Sequence, residues 1–167
     1  MAHRIEVGFR QNMVDALGMS VRKRIIEDLN IPVTDVRTIA VYTIDADLSP
    51  EQLKMLGENL FADPITQVYS YDKPLTQTFS WLIEVGFKPG VTDNVGRTSM
   101  EAIADMLKIE VGGVYTSRQY LIQGDISREQ VETIASGLLA NQLIERWEIR
   151  SREEWSEKGM DVVLPRV

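Results

Sequence analysis

Advanced by 78 positions, the sequence lies on itself without a gap, and about thirty per cent of the overlapping residues are identical. Ile5-Glu6-Val7-Gly8-Phe9 returns as Ile83-Glu84-Val85-Gly86-Phe87, and Asp15 and Gly18 return as Asp93 and Gly96. Asp47, Ser49, Glu51 and Gln52 return as Asp125, Ser127, Glu129 and Gln130. Two similar units in tandem are the simplest reading. A unit of roughly 75 residues buries only about 60% of the surface its unfolded chain exposes. The copies are therefore expected to pair through sheet faces or edges and to bury more surface together, as a pseudo-twofold dimer within one chain.

Within each copy the hydrophobic period changes in a fixed order. Alternation in Ile5, Val7 and Phe9, and in Trp81, Ile83, Val85 and Phe87, predicts an opening strand buried on one side. Leu17, Val21, Ile25 and Leu29 recur every fourth residue, matched by Val95, Ala102, Ile103, Met106 and Leu107, which predicts an amphipathic helix. The β-branched stretch 36–44 and its counterpart 114–122 read as a second strand or a tight strand pair. Ser49 and Ser127, each followed by Gln three residues later, mark a second helix with a capping box, and Pro50 suits its first turn. Strands over 65–71 and 143–149 close the units. The fold class is α+β, with two β-α-β(β)-α-β units whose helices cover one face of antiparallel sheets. Residues 1–76 and 79–150 form the repeats. The stretch 151–167 reads as a linker or the start of a following domain, from its polar Glu153, Glu154, Glu157 and Lys158 and its apolar Val162, Val163 and Leu164.

Composition narrows the chemistry. The chain has no cysteine, which removes disulfides, thiolate metal sites and thiol nucleophiles. Its net charge of −7 opposes nucleic-acid binding, and the cluster Arg22, Lys23 and Arg24 reads as a solvated helix face. No run is long and apolar enough to span a bilayer, and the N-terminus lacks a secretory pattern, so a cytoplasmic location is expected. His3, the one histidine, has no carboxylate cluster near it in sequence, and no phosphate-binding glycine loop occurs. No catalytic residue and no metal site are expected in this chain.

Two kinds of candidate position remain. Asp93, Asn94, Gly96 and Arg97 form a polar helix start able either to hold an anion or simply to cap the helix through its aspartate. Gly8 and Gly86, on the outward side of the opening strands, allow a close approach. Trp81 at the junction of the copies, with Arg118 and Tyr120 in the polar segment 116–120, are candidate partner or inter-repeat contacts.

Each copy resembles PurS, the small subunit of phosphoribosylformylglycinamidine synthase. The features that carry the resemblance are the Asp and Gly spacing of Asp15 and Gly18 and of Asp93 and Gly96, and the second-helix ending Leu138-Leu139-Ala140-Asn141 before an acidic strand. The first copy ends its second helix in the weaker form Leu60-Phe61-Ala62-Asp63-Pro64, and Gln142 replaces that proline in the second. The pair looks like the arrangement at the N-terminus of fused synthases. The resemblance implies a noncatalytic assembly domain in de novo purine synthesis that joins the glutaminase to the ATP-dependent synthetase. By the same resemblance ATP and Mg belong to the parent enzyme and no cofactor to this chain. An alternative class is a regulatory module that binds a small molecule between paired ferredoxin-like units.

Overall fold

The computed structural model describes residues 2–75, 77–156, 160, 162, 164 and 165. Glu157, Lys158 and Val163 of the tail lie outside the described residues. The first half runs β1 (Ala2–Phe9), α1 (Ala16–Leu29), β2 (Asp35–Asp45), α2 (Pro50–Leu56) and β3 (Gln67–Tyr71). The second runs β4 (Trp81–Phe87), α3 (Asn94–Leu107), β5 (Gly113–Gln123), α4 (Arg128–Ile134) and β6 (Glu145–Ser151), followed by the short α5 (Arg152–Trp155).

Local chemistry sets these boundaries. Ser49 Oγ accepts from Gln52 N at 3.1 Å while Gln52 Oε1 accepts from Ser49 N at 2.9 Å, and Ser127 with Gln130 repeats the box at 3.2 and 2.9 Å. Both second helices then widen into a π-helical turn, Gly57–Phe61 and Ala135–Leu139. The stretches 36–44 and 114–122 are each one long strand rather than a strand pair. The closing strands begin two residues later than the hydrophobic pattern suggests, because Ile65 and Leu143 sit in exposed turns, 75% and 84% accessible.

The six strands form one antiparallel sheet in the order β3-β1-β2-β5-β4-β6. The halves meet along β2 and β5, from Asp35↔Gln123 to Asp45↔Gly113. Thr38 pairs with Tyr120 and Tyr42 with Thr116, so the ladder is symmetric about Ala40↔Arg118, two positions that are 118 − 40 = 78 apart. A pseudo-twofold axis therefore passes through that pair.

Helices cover one sheet face, and its apolar residues gather into two clusters that each draw on both halves. Val21, Ile25 and Val36 of the first half pack with Ile83, Ile122, Val131 and Ile134 of the second. Ile5, Ile44, Leu53 and Leu56 pack with Ile103 and Val114. Of the positions expected to face this core, Leu17, Val95 and Met106 remain partly exposed, at 37%, 57% and 39%.

The opposite face is covered by the connector and the tail. Phe79, Trp155 and Met160 bury against Ile39, Val41, Leu82 and Leu121, and Trp155 meets Phe79 edge-on at 5.3 Å. Beside this patch lies a buried polar network. Arg4 Nε donates to Glu6 Oε2 at 2.8 Å, and its Nη1 reaches over the central strands to Glu84 Oε2 at 3.2 Å, with a second contact from Nη2 to Glu84 Oε1. Leu75 N donates to the other Glu6 oxygen, Oε1, at 3.0 Å, and Gln119 Nε2 adds a further donor to Glu84 Oε1 at 3.1 Å. Burial works against the Arg4 charge, but Glu84 and Glu6 outweigh it and hold the guanidinium above its ordinary value. Charges buried this deeply persist only when each is paired.

Shared cores predict one cooperative transition. All three tryptophans, Trp81, Trp147 and Trp155, lie beyond the connector, so their fluorescence reports the second half, whereas far-ultraviolet circular dichroism reports both. The two denaturation curves are expected to superimpose, and a fluorescence transition separated from the dichroism transition would contradict the shared-core arrangement.

Candidate functional site

At both first-helix starts an aspartate ties the helix to the adjoining strand. Asp15 Oδ1 accepts from Gly18 N at 2.8 Å, while Oδ2 accepts from Thr38 N at 2.6 Å and Thr38 Oγ1 at 2.8 Å. Asp93 does the same with Gly96 N at 2.8 Å, Thr116 N at 2.7 Å and Thr116 Oγ1 at 2.9 Å. The amide that would receive an anion at the α3 start is thus already occupied by the cap. Gly18 and Gly96 are required by the same closeness, since a Cβ on either would stand 2.3 or 2.2 Å from the backbone oxygen of Val36 or Val114. Asn94 and Arg97 are exposed on the first turn of α3, and both Arg97 and Asp93 line a cleft of about 400 Å³ beside it.

The remaining candidates fall into inner and outer positions. Gly8 lies under the connector, where an added Cβ would come 3.1 Å from Gln77 Nε2 and 3.4 Å from Leu75 Cδ1. Gly86 lies beneath the Arg146 guanidinium, 3.4 Å from an added Cβ. Trp81 is half-buried against the cluster shared by both halves; its Nε1 donates to Ile126 O at 3.2 Å, and Arg128 stands 5.1 Å from its ring. Arg118 is exposed on the axis, on the helix-bearing face. Tyr42 and Tyr120, symmetric counterparts, flank it, and Tyr42 also stacks on Phe61 at 4.1 Å. Burial pushes both phenols above their ordinary value, and the Arg118 charge opposes that rise.

His3 does have a carboxylate in space. Its Nδ1 meets Asp72 Oδ2 at 2.7 Å, and its Nε2 accepts from Leu48 N at 3.2 Å. With both nitrogens engaged, the ring is a structural clasp between the chain start, the end of β3 and the loop before α2. The antiparallel register that carries Asp72 to Arg4 creates this pair, and nothing in the local sequence signals it. Among the described residues no group of three or more His, Cys, Asp or Glu is placed to hold a metal ion, and no helix is long and apolar enough to cross a membrane.

Three outcomes are expected. Gly18→Ala or Gly96→Ala will cost about 1–3 kcal/mol in chemical denaturation, because backbone must move to admit the methyl. Gly137→Ala, which meets nothing within 4 Å, will stabilise by up to about 1 kcal/mol. An unaffected Gly96→Ala would refute the close-packing account. Arg118→Leu will move titration of the flanking phenols to higher pH, visible as a later rise in tyrosinate absorbance. Raised phenols contribute stability below about pH 10 that is lost as pH climbs through their folded values, so the variant retains that contribution to higher pH.

No curated protein matches the chain. A family model does: residues 81–153, which run from β4 into α5, match PurS, described as Phosphoribosylformylglycinamidine (FGAM) synthase. The half of the chain that carries the Asp93 lock, Arg118 and the adjoining cleft is thus similar to PurS over nearly its whole folded length.

Proposed function

We propose that this chain is a noncatalytic assembly domain of phosphoribosylformylglycinamidine synthase, acting in purine biosynthesis by joining the glutaminase and the ATP-dependent synthetase parts. The observation that carries the reading is the family match over residues 81–153. The first half supports it as well, since it repeats the strand and helix order and the aspartate lock at the same 78-residue offset. We read both halves as units of one kind arising by tandem duplication, with residues 1–76 and 79–150 as the repeats and 151–167 as an appended segment. A cytoplasmic location accords with that role.

The residues that recur between the halves support structure rather than chemistry. Asp15, Gly18 and Thr38, with Asp93, Gly96 and Thr116, spend their polar groups on holding helix to strand. ATP and magnesium in this reading are bound by the synthetase part. Of the candidate contacts, Arg118 is the one left facing outward, and it is assigned here as a partner contact for an acidic residue.

Co-purification with the glutaminase and the synthetase body tests the reading. The chain is expected to be retained by at least one of them, and Arg118→Glu to weaken retention without lowering the melting temperature. Failure to bind either, where authentic small subunits bind, would remove the proposal.

A further inference from the structure

The two halves serve as internal controls for one another, and they differ sharply at one end of the sheet. In the first half Arg37 fills that end, donating to Met13 O at 2.9 Å, Arg10 O at 3.0 Å and Phe9 O at 3.4 Å. Its counterpart 78 residues on is Tyr115, whose hydroxyl folds back over Gly113, 2.9 Å from where a Cβ would stand. The space that Arg37 occupies in one half is part of the 400 Å³ cleft in the other.

The cleft's charge has also changed. Arg10, Met19 and Val68 of the first half correspond to Lys88, Arg97 and Arg146, which all line it. Its three acids, Glu84, Asp93 and Glu148, already have partners within or beside it. Asp93 is taken up by Gly96 and Thr116, Glu84 by Arg4 and Gln119, and Glu148 by Arg150 at 3.1 Å and Arg146 at 4.0 Å. Lys88 Nζ donates to a neutral group, Gln142 O at 2.6 Å, and Arg97 is exposed, with no ion pair among the described residues. Four cations, Arg4, Lys88, Arg97 and Arg146, thus line the cleft against three carboxylates, Glu84, Asp93 and Glu148, a small positive excess in a concave site although the chain as a whole is at −7.

We propose that this cleft binds a phosphate monoester of a small polar molecule. Lys88, Arg97 and Arg146 hold the phosphoryl group, which carries about −1.5 to −2 charge near neutrality. The hydroxyls of Thr43 and Ser117 line the wall that receives the remainder. The α3 amide at Gly96 takes no part, because Asp93 already fills it. A volume of this size suits a small ligand rather than a macromolecule. The site is independent of the assembly role, and its counterpart in the first half is filled by Arg37.

Titration calorimetry of the full chain at constant ionic strength tests it, with inorganic phosphate and glycerol 3-phosphate as probes and acetate as the control. Both phosphates are expected to bind saturably and more tightly than acetate. Arg97→Met and Arg146→Val, which install the first-half residues, are each expected to weaken glycerol 3-phosphate by about tenfold, the size of one charge-assisted contact. Arg97 is exposed, so its variant keeps the fold, as an unchanged melting temperature will verify. Absence of saturable binding at millimolar phosphate, equal affinity for acetate, or unchanged affinity in Arg97→Met would each overturn the proposal.

Discussion

The pairing of β2 with β5 is the constraint from which the architecture follows. Each of these long strands closes a three-stranded half, and each would present a row of unpaired N–H and C=O groups if the halves stood apart. Joining them turns two small sheets into one and brings α1 and α3 over strands of the opposite half. The apolar clusters consequently ignore the boundary in sequence. Val21 and Ile25 share a core with Val131 and Ile134, so neither half retains a complete interior alone.

One sheet with helices on one face leaves the other face to be covered. The connector and the tail do this through Leu75, Phe79, Trp155 and Met160, and Arg4 crosses the central strands to Glu84 beside them. The network is lopsided. Glu6 and Glu84 are counterparts, but the position matching Arg4 is Leu82, which packs under Trp155 and Met160. One guanidinium therefore serves two carboxylates. A second arginine at that position would meet the apolar patch instead of an acid.

Much of this was legible in the residues. The repeat, the order of elements, the capping boxes and the placement of the helices on one face follow from period and capping chemistry, which are local. The aspartate at each first-helix start was readable as a cap. Its second bond, to the strand threonine, was not, because Thr38 and Thr116 lie 23 residues downstream and nothing nearby marks them as partners. The same holds for His3 with Asp72 and for Arg4 with Glu84, whose separations of 69 and 80 residues are closed only by strand register. Near Arg97 the sequence shows only a polar helix start, open to an anion or to a cap, and the exchange of Arg37 for Tyr115 that opens the cleft gains meaning only once both side chains are placed.

The axis itself carries a last consequence. In an assembly of two identical chains, any residue on the dyad confronts its own duplicate, so a lone arginine there is forbidden and a pair would repel. Covalent union of two non-identical halves lifts that restriction, and Arg118 faces Ala40 across the centre. The sheet thereby acquires a polarity: its two ends are distinguishable at the very centre, as no true homodimer would allow.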